Sequence, residues 1–109
     1  MKLVIAIVQG EDAASTVTAL SEAGISSTRM SSTGGFLQQG NVTLVIGVED
    51  ARVNDTLKII RETSHERSRY VTSVPPLAEP GEVVMAYPVE VQVGGATVFV
   101  VPVDSFEKF

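Results

Sequence analysis

The sequence predicts an α+β domain in which two helices pack on one face of an antiparallel sheet. Short β-branched runs alternate with two segments that have apolar residues at helical spacing, and turn-forming residues separate them. A chain of 109 residues is long enough for one hydrophobic core and needs no second domain. Its composition, 44% hydrophobic and 19% charged, is that of an ordinary globular protein.

The first segments are predicted to form a central strand and a helix. Residues 2–8 are almost continuously apolar and rich in β-branched side chains, which indicates a strand covered on both faces. Asp12 is expected to cap a helix of about residues 13–23, because apolar residues follow at helical spacing. Gly24 then stands where this helix should end.

The segment 25–33 is polar and rich in Ser and Thr. It suits a strand only if one of its faces looks onto water or a ligand. Strand alternation would place Ser26 and Thr28 on one face and Arg29 on the other.

A second strong strand is predicted over residues 41–48. Its even-numbered residues are apolar, and the opposite face carries Asn41, Thr43 and Gly47. Asn41 and Gly47 are six residues apart, which is roughly 20 Å along a strand. We therefore expect them to contact different parts of a ligand, or different ligands.

The second half is predicted to contain a helix, a long connection and a β hairpin. Asp50 is expected to cap the helix, which fades near Glu62, and residues 63–82 form a long connection with no stable periodicity. Runs at 89–93 and 97–101 flank Gly94-Gly95, a strong hairpin signal.

The resulting order of elements fits a ferredoxin-like sheet with both helices on one face. The other face needs a cover, and its apolar content makes a subunit interface the expected one.

The loop at 33–41 is the most informative stretch, with the sequence TGGFLQQGN. Its glycines allow positive φ and a close approach of backbone N–H groups to a ligand. Phe36 and Leu37 lie where a planar apolar group could rest on them. A hairpin loop that merely needs positive φ is the alternative, and the residues alone leave both open.

Net charge, apolar run length and cysteine content limit the classes of function that the protein can have. The net charge of −5 would repel a nucleic acid polymer over most of the surface, although a small anionic ligand in a local pocket remains compatible with it. The apolar runs are shorter than the roughly 20 residues of a membrane span, and the start reads as a strand rather than a signal peptide. The absence of cysteine excludes disulfides and thiolate chemistry. We expect a cytoplasmic protein.

No constellation of catalytic or metal-ligating residues is evident. His65 lies in a hydrophilic run without a nearby partner, so it offers neither a triad nor a metal spacing. The carboxylates fall on predicted helix caps and surfaces. Phe99, in an apolar strand, would by itself be assigned to the core. A small ferredoxin-like enzyme is the least favoured class, and a buried Glu90 in a subunit cleft would support it.

Several phrases resemble the cyclic di-AMP receptor family of PII-like signal transduction proteins. These are TGGFL followed shortly by GN, the start KLVIAIVQ, the phrase IGVED and the ending GGATVFVVPVDSFEKF. The resemblance runs nearly end to end. It implies a non-enzymatic homotrimer of ferredoxin-like subunits, with cyclic di-AMP bound between neighbours against the short loop. It implies neither a cofactor nor a metal. It also implies a long loop after the second helix that responds to the ligand, and we expect ligand binding to order this loop and to change a surface that a target protein reads.

The resemblance also implies roles for individual residues. Phe36 would stack on an adenine, which contributes roughly 1–3 kcal/mol per base. Asn41 would read an adenine edge. The remaining implied contacts are backbone, hydrogen-bond or packing contacts from Ser26, Thr28, Gly35, Leu37, Gly47 and Phe99.

The chain departs from the family pattern where the second strand begins. Many relatives have an asparagine and an arginine there, and this chain has Gly24 and Ser26. Loss of an arginine–phosphate contact could remove roughly 1.5–3 kcal/mol. The alternative ligand is therefore another adenine nucleotide, ATP or ADP, on the same scaffold.

Overall fold

The computed structural model of the protein describes residues 1–30, 40–73 and 87–109. Within these residues it contains two α-helices and six strands. In chain order the elements are β1 (Lys2–Gln9), α1 (Gly10–Glu22), β2 (Thr28–Met30), β3 (Asn41–Val48), a 3-10 turn (Asp50–Arg52), α2 (Val53–Ser64), β4 (Arg67–Ser73), β5 (Tyr87–Val93) and β6 (Ala96–Pro102).

The main sheet has four strands in the order β2-β3-β1-β6, and each neighbouring pair is antiparallel. The β-branched run of residues 2–8 therefore lies in the interior of the sheet, as its sequence predicts. The α+β class is confirmed, and the βαββαβ-like order with antiparallel sheets is consistent with a ferredoxin-like fold.

The two helices pack on one face of this sheet and not on the other. Side chains of β1 and β3 alternate, and the even-numbered ones from Val4 in β1 and from Val42 in β3 are buried against α1 and α2, on what we call the inner face. The odd-numbered ones lie on the opposite, outer face. The buried apolar core consists of Val4, Ala6, Val8, Ala13, Leu20, Ile25, Val42, Leu44, Ile46, Val48 and Ile60.

Helix α1 ends as predicted but begins differently. It begins at Gly10, and its N-cap residue Gln9 makes no side-chain capping bond. The prediction that Asp12 caps this helix is wrong. Its carboxylate is buried at the first turn and accepts hydrogen bonds from Arg67. At the other end Gly24 has φ +76°, the left-handed conformation that terminates helices.

Asp50 is likewise not a side-chain cap of α2. It begins the 3-10 turn that precedes the helix, and its carboxylate lies 3.1 Å from the amino nitrogen of Met1. The hydrogen bond and charge of that ammonium lower the pKa of Asp50. Helix α2 extends to Ser64, slightly beyond the predicted fade near Glu62.

The predicted connection 63–82 is wrong in its first part. Residues 63–64 belong to α2, and β4 follows at Arg67–Ser73 and pairs with β5 in a separate two-stranded sheet. The run RSRYVTS has too few apolar residues to reveal a strand locally, and its partner lies farther along the chain. Residues 74–82 lie outside the described ranges.

The predicted hairpin is also wrong in its pairing, although both of its strands exist. Strand β5 pairs with β4, whereas β6 pairs with β1 at the edge of the main sheet. Gly94 and Gly95 have φ +82° and +94°, so the glycine pair forms a corner between two sheets. The corner is held by a 2.7 Å bond from the Gly94 amide to the Gln9 side chain and by a bond from the Gly95 amide to the Ser64 carbonyl.

Candidate ligand-binding site

The outer face of the main sheet is the side away from both helices. Its centre consists of half-buried aliphatic residues of β1 and β3, including Ile5 and Val45. Its two edges belong to β2 and β6, which contribute Thr28 and Phe99. A face of this kind offers a ligand apolar surface in the middle, a hydroxyl group at one edge and an aromatic ring at the other.

Two of the predicted ligand contacts lie in one row of the outer face. Thr28 is opposite Val45, Val45 is opposite Ile5, and Ile5 is opposite Phe99. Strands are spaced by roughly 4.8 Å, so three spacings put Thr28 and Phe99 about 14 Å apart. Within one chain, the structure places them on the same face without bringing them into contact.

Phe99 is 53% exposed, which contradicts its assignment to the core from sequence. It lies on the edge strand β6 and belongs to the outer face because it pairs with Ile5 rather than with a buried residue. The aromatic ring is therefore available to a ligand or to a neighbouring molecule.

Gly47 is exposed near the other end of β3. A Cβ added to it would meet no atom of the described residues within 4 Å, and its φ is outside the left-handed range. Neither backbone strain nor packing within those residues therefore requires glycine here. The open space above Gly47 is consistent with the predicted close approach of something outside the chain.

Asn41 is exposed at the first position of β3, opposite Gln9. Two cavities meet there, with volumes of about 300 and 310 Å³. The first, which we call the Arg69 cavity, is lined by Gln9, Gly10, Glu11, Gly40, Asn41 and Arg69. The second extends past Asn41 toward Thr97 and the glycine corner.

Strand β2 is shorter in the described residues than the predicted 25–33. Ser26 is exposed in the connection before it and has no strand pairing. Arg29 pairs with Leu44 and so belongs to the inner face, as alternation predicts. Gly35, Phe36 and Leu37 lie outside the described residues.

The sequence prediction missed two ion pairs that join β4 to the start of α1. The guanidinium of Arg67 makes two hydrogen bonds with the Asp12 carboxylate, at 2.8 and 3.2 Å, and these raise the pKa of Arg67. Arg69 Nη1 lies 2.9 Å from Glu11 Oε2. The spacing of two residues puts both arginines on one face of a strand. That signal could be used only once β4 was recognised as a strand.

A third cavity, of about 430 Å³, lies between α2 and β6. Its lining combines apolar residues such as Ile60 and Val98 with Arg61 and His65. His65 is exposed, as predicted. In the part of the chain that the structure describes, no group of three His, Asp or Glu residues could hold a metal ion. Nor is any described helix long and apolar enough to cross a membrane.

These features define a class of protein, a small α+β domain with an open sheet face and polar cavities suited to a small ligand. A family model described as the cyclic-di-AMP receptor matches residues 1–109, the whole chain. The chain therefore belongs to the cyclic-di-AMP receptor family, which confirms the resemblance seen in the sequence. Membership places it among cyclic-di-AMP-binding signalling proteins.

A solved structure is similar over almost the same extent. The crystal structure of a functionally unknown protein from Pediococcus pentosaceus matches with a TM-score of 0.78 and 46% sequence identity. The match covers 99% of this chain and 96% of that one. The fold described here is thus shared with a protein of similar length.

Proposed function

We propose that the protein is a homotrimeric, non-enzymatic sensor of cyclic di-AMP in the cytoplasm. The ligand binds between neighbouring subunits, and its binding is relayed to a target protein through the segment around residues 63–82. Family membership supports the ligand. The trimer, the relay and the individual contacts are parts of the proposal.

The separation of Thr28 from Phe99 is the observation that supports a site between subunits. They lie at opposite edges of the same face, about 14 Å apart, so a base held at one edge does not touch the other. Two subunits that meet with the β2 edge of one beside the β6 edge of the other would bring the two residues together. An intersubunit cleft therefore uses both residues, whereas a site within one subunit uses only one.

The same arrangement gives the outer face a cover. Its exposed large apolar residues include Met30, Phe99 and Val101. A trimer that buries this face removes that apolar surface from water, at roughly 25 cal/mol per Å². The site and the oligomer are then parts of one interface.

Within the site, we assign adenine stacking to Phe36 and reading of an adenine edge to Asn41. Gly35 and Leu37 supply backbone and apolar contact, and Gly47 permits close approach. Thr28 and Ser26 donate hydrogen bonds, and Phe99 of a neighbouring subunit packs on the second base.

For the relay, we propose that the ligand changes the position of the β4–β5 sheet. The Gly94-Gly95 corner and the ion pairs from Asp12 and Glu11 join that sheet to the domain. Such a switch requires that the ligand bind one arrangement of the sheet more tightly than another.

The first test is calorimetric titration of the purified protein with cyclic di-AMP, with ATP, ADP and cyclic di-GMP run in parallel. We expect micromolar or tighter binding of cyclic di-AMP alone, near one ligand per subunit, and a trimer by sedimentation equilibrium. Binding of ATP or ADP in its place would favour the alternative ligand. Absence of binding by all four would refute the sensor.

Substitutions at Gly47 test the site without damaging the core. Gly47→Val adds a β-branched side chain in a strand, where space within the described residues is open, so the folded structure should persist. We expect cyclic di-AMP binding to weaken progressively from Gly47→Ala to Gly47→Val. Thr18→Val, on the exposed side of α1, is the control and should bind normally.

Phe99→Ala tests the second base contact. The expected loss is about 5- to 150-fold in affinity, the equivalent of one stacked base. Unaltered affinity in a trimeric Phe99→Ala variant would exclude Phe99 from the site.

A further inference from the structure

The site as assigned from sequence lacks a strong partner for the phosphates of the ligand. A cyclic dinucleotide carries two phosphodiester charges, and charge-assisted bonds from arginine are the strongest contacts that a side chain can offer them. Ser26 supplies only a hydroxyl, and Arg29 lies on the inner face. The inference below rests on the proposed function and concerns which residue fills this gap.

Arg69 lies in the same cavity as Asn41, the side chain assigned to an adenine edge. It reaches this cavity because β4 passes the start of α1, where Arg67 contacts Asp12 and Arg69 contacts Glu11. The side chain is 55% exposed, so its guanidinium is accessible from solvent. Among the residues lining the cavity, it supplies the positive charge.

In the structure this guanidinium donates to Glu11, with Nη1 2.9 Å from Oε2. The Glu11 side chain is itself 38% exposed, so water screens the pair and a competing anion can replace the carboxylate. The neighbouring pair differs, since Asp12 is only 6% exposed and is bound by both terminal nitrogens of Arg67. Of the two arginines of β4, Arg69 is therefore the exchangeable one.

We propose that Arg69 binds a phosphate of the ligand and that Glu11 occupies the guanidinium until the ligand arrives. Glu11 then acts as a built-in competitor that sets the affinity. Exchange of the carboxylate for a phosphate also removes one of the two ion pairs that attach β4 to α1. Ligand binding at Asn41 is thereby connected to the two-stranded sheet.

The proposal predicts that substitutions of the two partners of one ion pair change the affinity for the ligand in opposite directions. Arg69→Gln removes the phosphate contact, and the expected loss of affinity is at least about tenfold. Glu11→Gln frees the guanidinium, and affinity is expected to rise by about two- to fivefold, the range of an exposed ion pair. If the pair served only to hold β4 in place, both variants would weaken binding.

The experiment is calorimetric titration with cyclic di-AMP of the unaltered protein, Arg69→Gln, Glu11→Gln and the control Arg61→Gln. Arg61 is an exposed arginine in the cavity between α2 and β6, away from Asn41. The control removes the same charge as Arg69→Gln, so it accounts for the general electrostatic effect of losing one arginine. Weaker binding by Arg69→Gln with tighter binding by Glu11→Gln supports the inference.

The other outcomes separate the two hypotheses. If the unaltered protein binds and Arg69→Gln binds as Arg61→Gln does, the sensor stands and the role of Arg69 is overturned. Weakening by both Arg69→Gln and Glu11→Gln also overturns it, in favour of a structural pair. No binding by the unaltered protein overturns the sensor and this inference together.

Discussion

The four-stranded sheet and the two-stranded sheet are stabilised in different ways. The first is held by a continuous apolar core in which residues such as Leu44 and Ile46 are completely buried. The second, β4–β5, exposes Tyr70 and Val89 and is attached to the domain by the glycine corner and the arginine–carboxylate pairs. Apolar packing makes the first sheet a fixed frame. The ion pairs of the second are contacts that a charged ligand or salt can exchange, so we expect any movement to occur there.

The largest expected difference in the free energy of unfolding is between an apolar substitution in the main sheet and one in the β4–β5 sheet. Leu44→Ala should lower the free energy of unfolding by about 2–5 kcal/mol, because it leaves a cavity among fully buried side chains. Val89→Ala, at a residue 42% exposed, should cost about 0.5 kcal/mol or less. Denaturant unfolding of both variants measures the difference, and equal losses would show that β4–β5 has an apolar core of its own.

The glycine corner provides the second comparison. Gly95→Ala places a side chain at φ +94°, which costs about 1–2 kcal/mol, and among the described residues its Cβ meets only Glu66 Cβ, at 3.9 Å. Gly94→Ala adds a collision with the His65 carbonyl oxygen to the same strain, so it should be the more destabilising variant. Denaturant unfolding again measures both. Equal effects would mean that the corner relaxes freely, and the two sheets would then be less firmly oriented than described.

Removal of the Asp12 charge should act on one sheet only. Asp12→Asn loses the two charge-assisted bonds to Arg67, and we expect amide hydrogen exchange in β4 to become about tenfold faster with little change in β1. Glu62→Gln is the matched control, because it also removes a carboxylate charge and breaks an exposed ion pair that lies within α2. Faster exchange throughout β1 and β3 would show that Asp12 stabilises the main sheet rather than the attachment of β4.

Salt should have the smallest of these effects, and like Asp12→Asn it should speed amide exchange in β4. Raising the ionic strength from 0.1 to 1 M shortens the screening length from about 10 to 3 Å. The exposed Glu11–Arg69 pair should weaken most, and β4 amides should exchange about two- to fivefold faster. Exchange in β1 should be unchanged because apolar burial protects it. Salt-independent exchange in β4 would show that the ion pairs do not govern its position.

Much of the frame follows from local pattern. The alternation in β3 correctly separated its buried face from the face that carries Asn41 and Gly47. Helical spacing located both helices, and Gly24 marked an end because its left-handed φ is a local property. The caps failed because Asp12 and Asp50 had more favourable partners elsewhere in the fold, namely Arg67 and the Met1 amino group.

The candidate site was predictable only in part, and for the same reason. Thr28 and Phe99 were named as ligand contacts through the resemblance, and Gly47 also from the alternation of its strand. Their roles stay predictions, and their spacing on the outer face required the strand order. Arg69 and Glu11 are 58 residues apart in sequence, and no local pattern connects them.

The sequence by itself determined the family, the class of fold, the positions of the strongly periodic elements and the two faces of the central strands. Each of these depends on neighbouring residues, through hydrogen bonding, backbone preference and the alternation of side chains. Only the tertiary structure decided that β5 lies outside the main sheet, that β4 is its partner and that Arg69 and Asn41 line one cavity. These outcomes depend on contacts between distant segments, where the burial of a carboxylate or the pairing of an edge strand outweighs local preference.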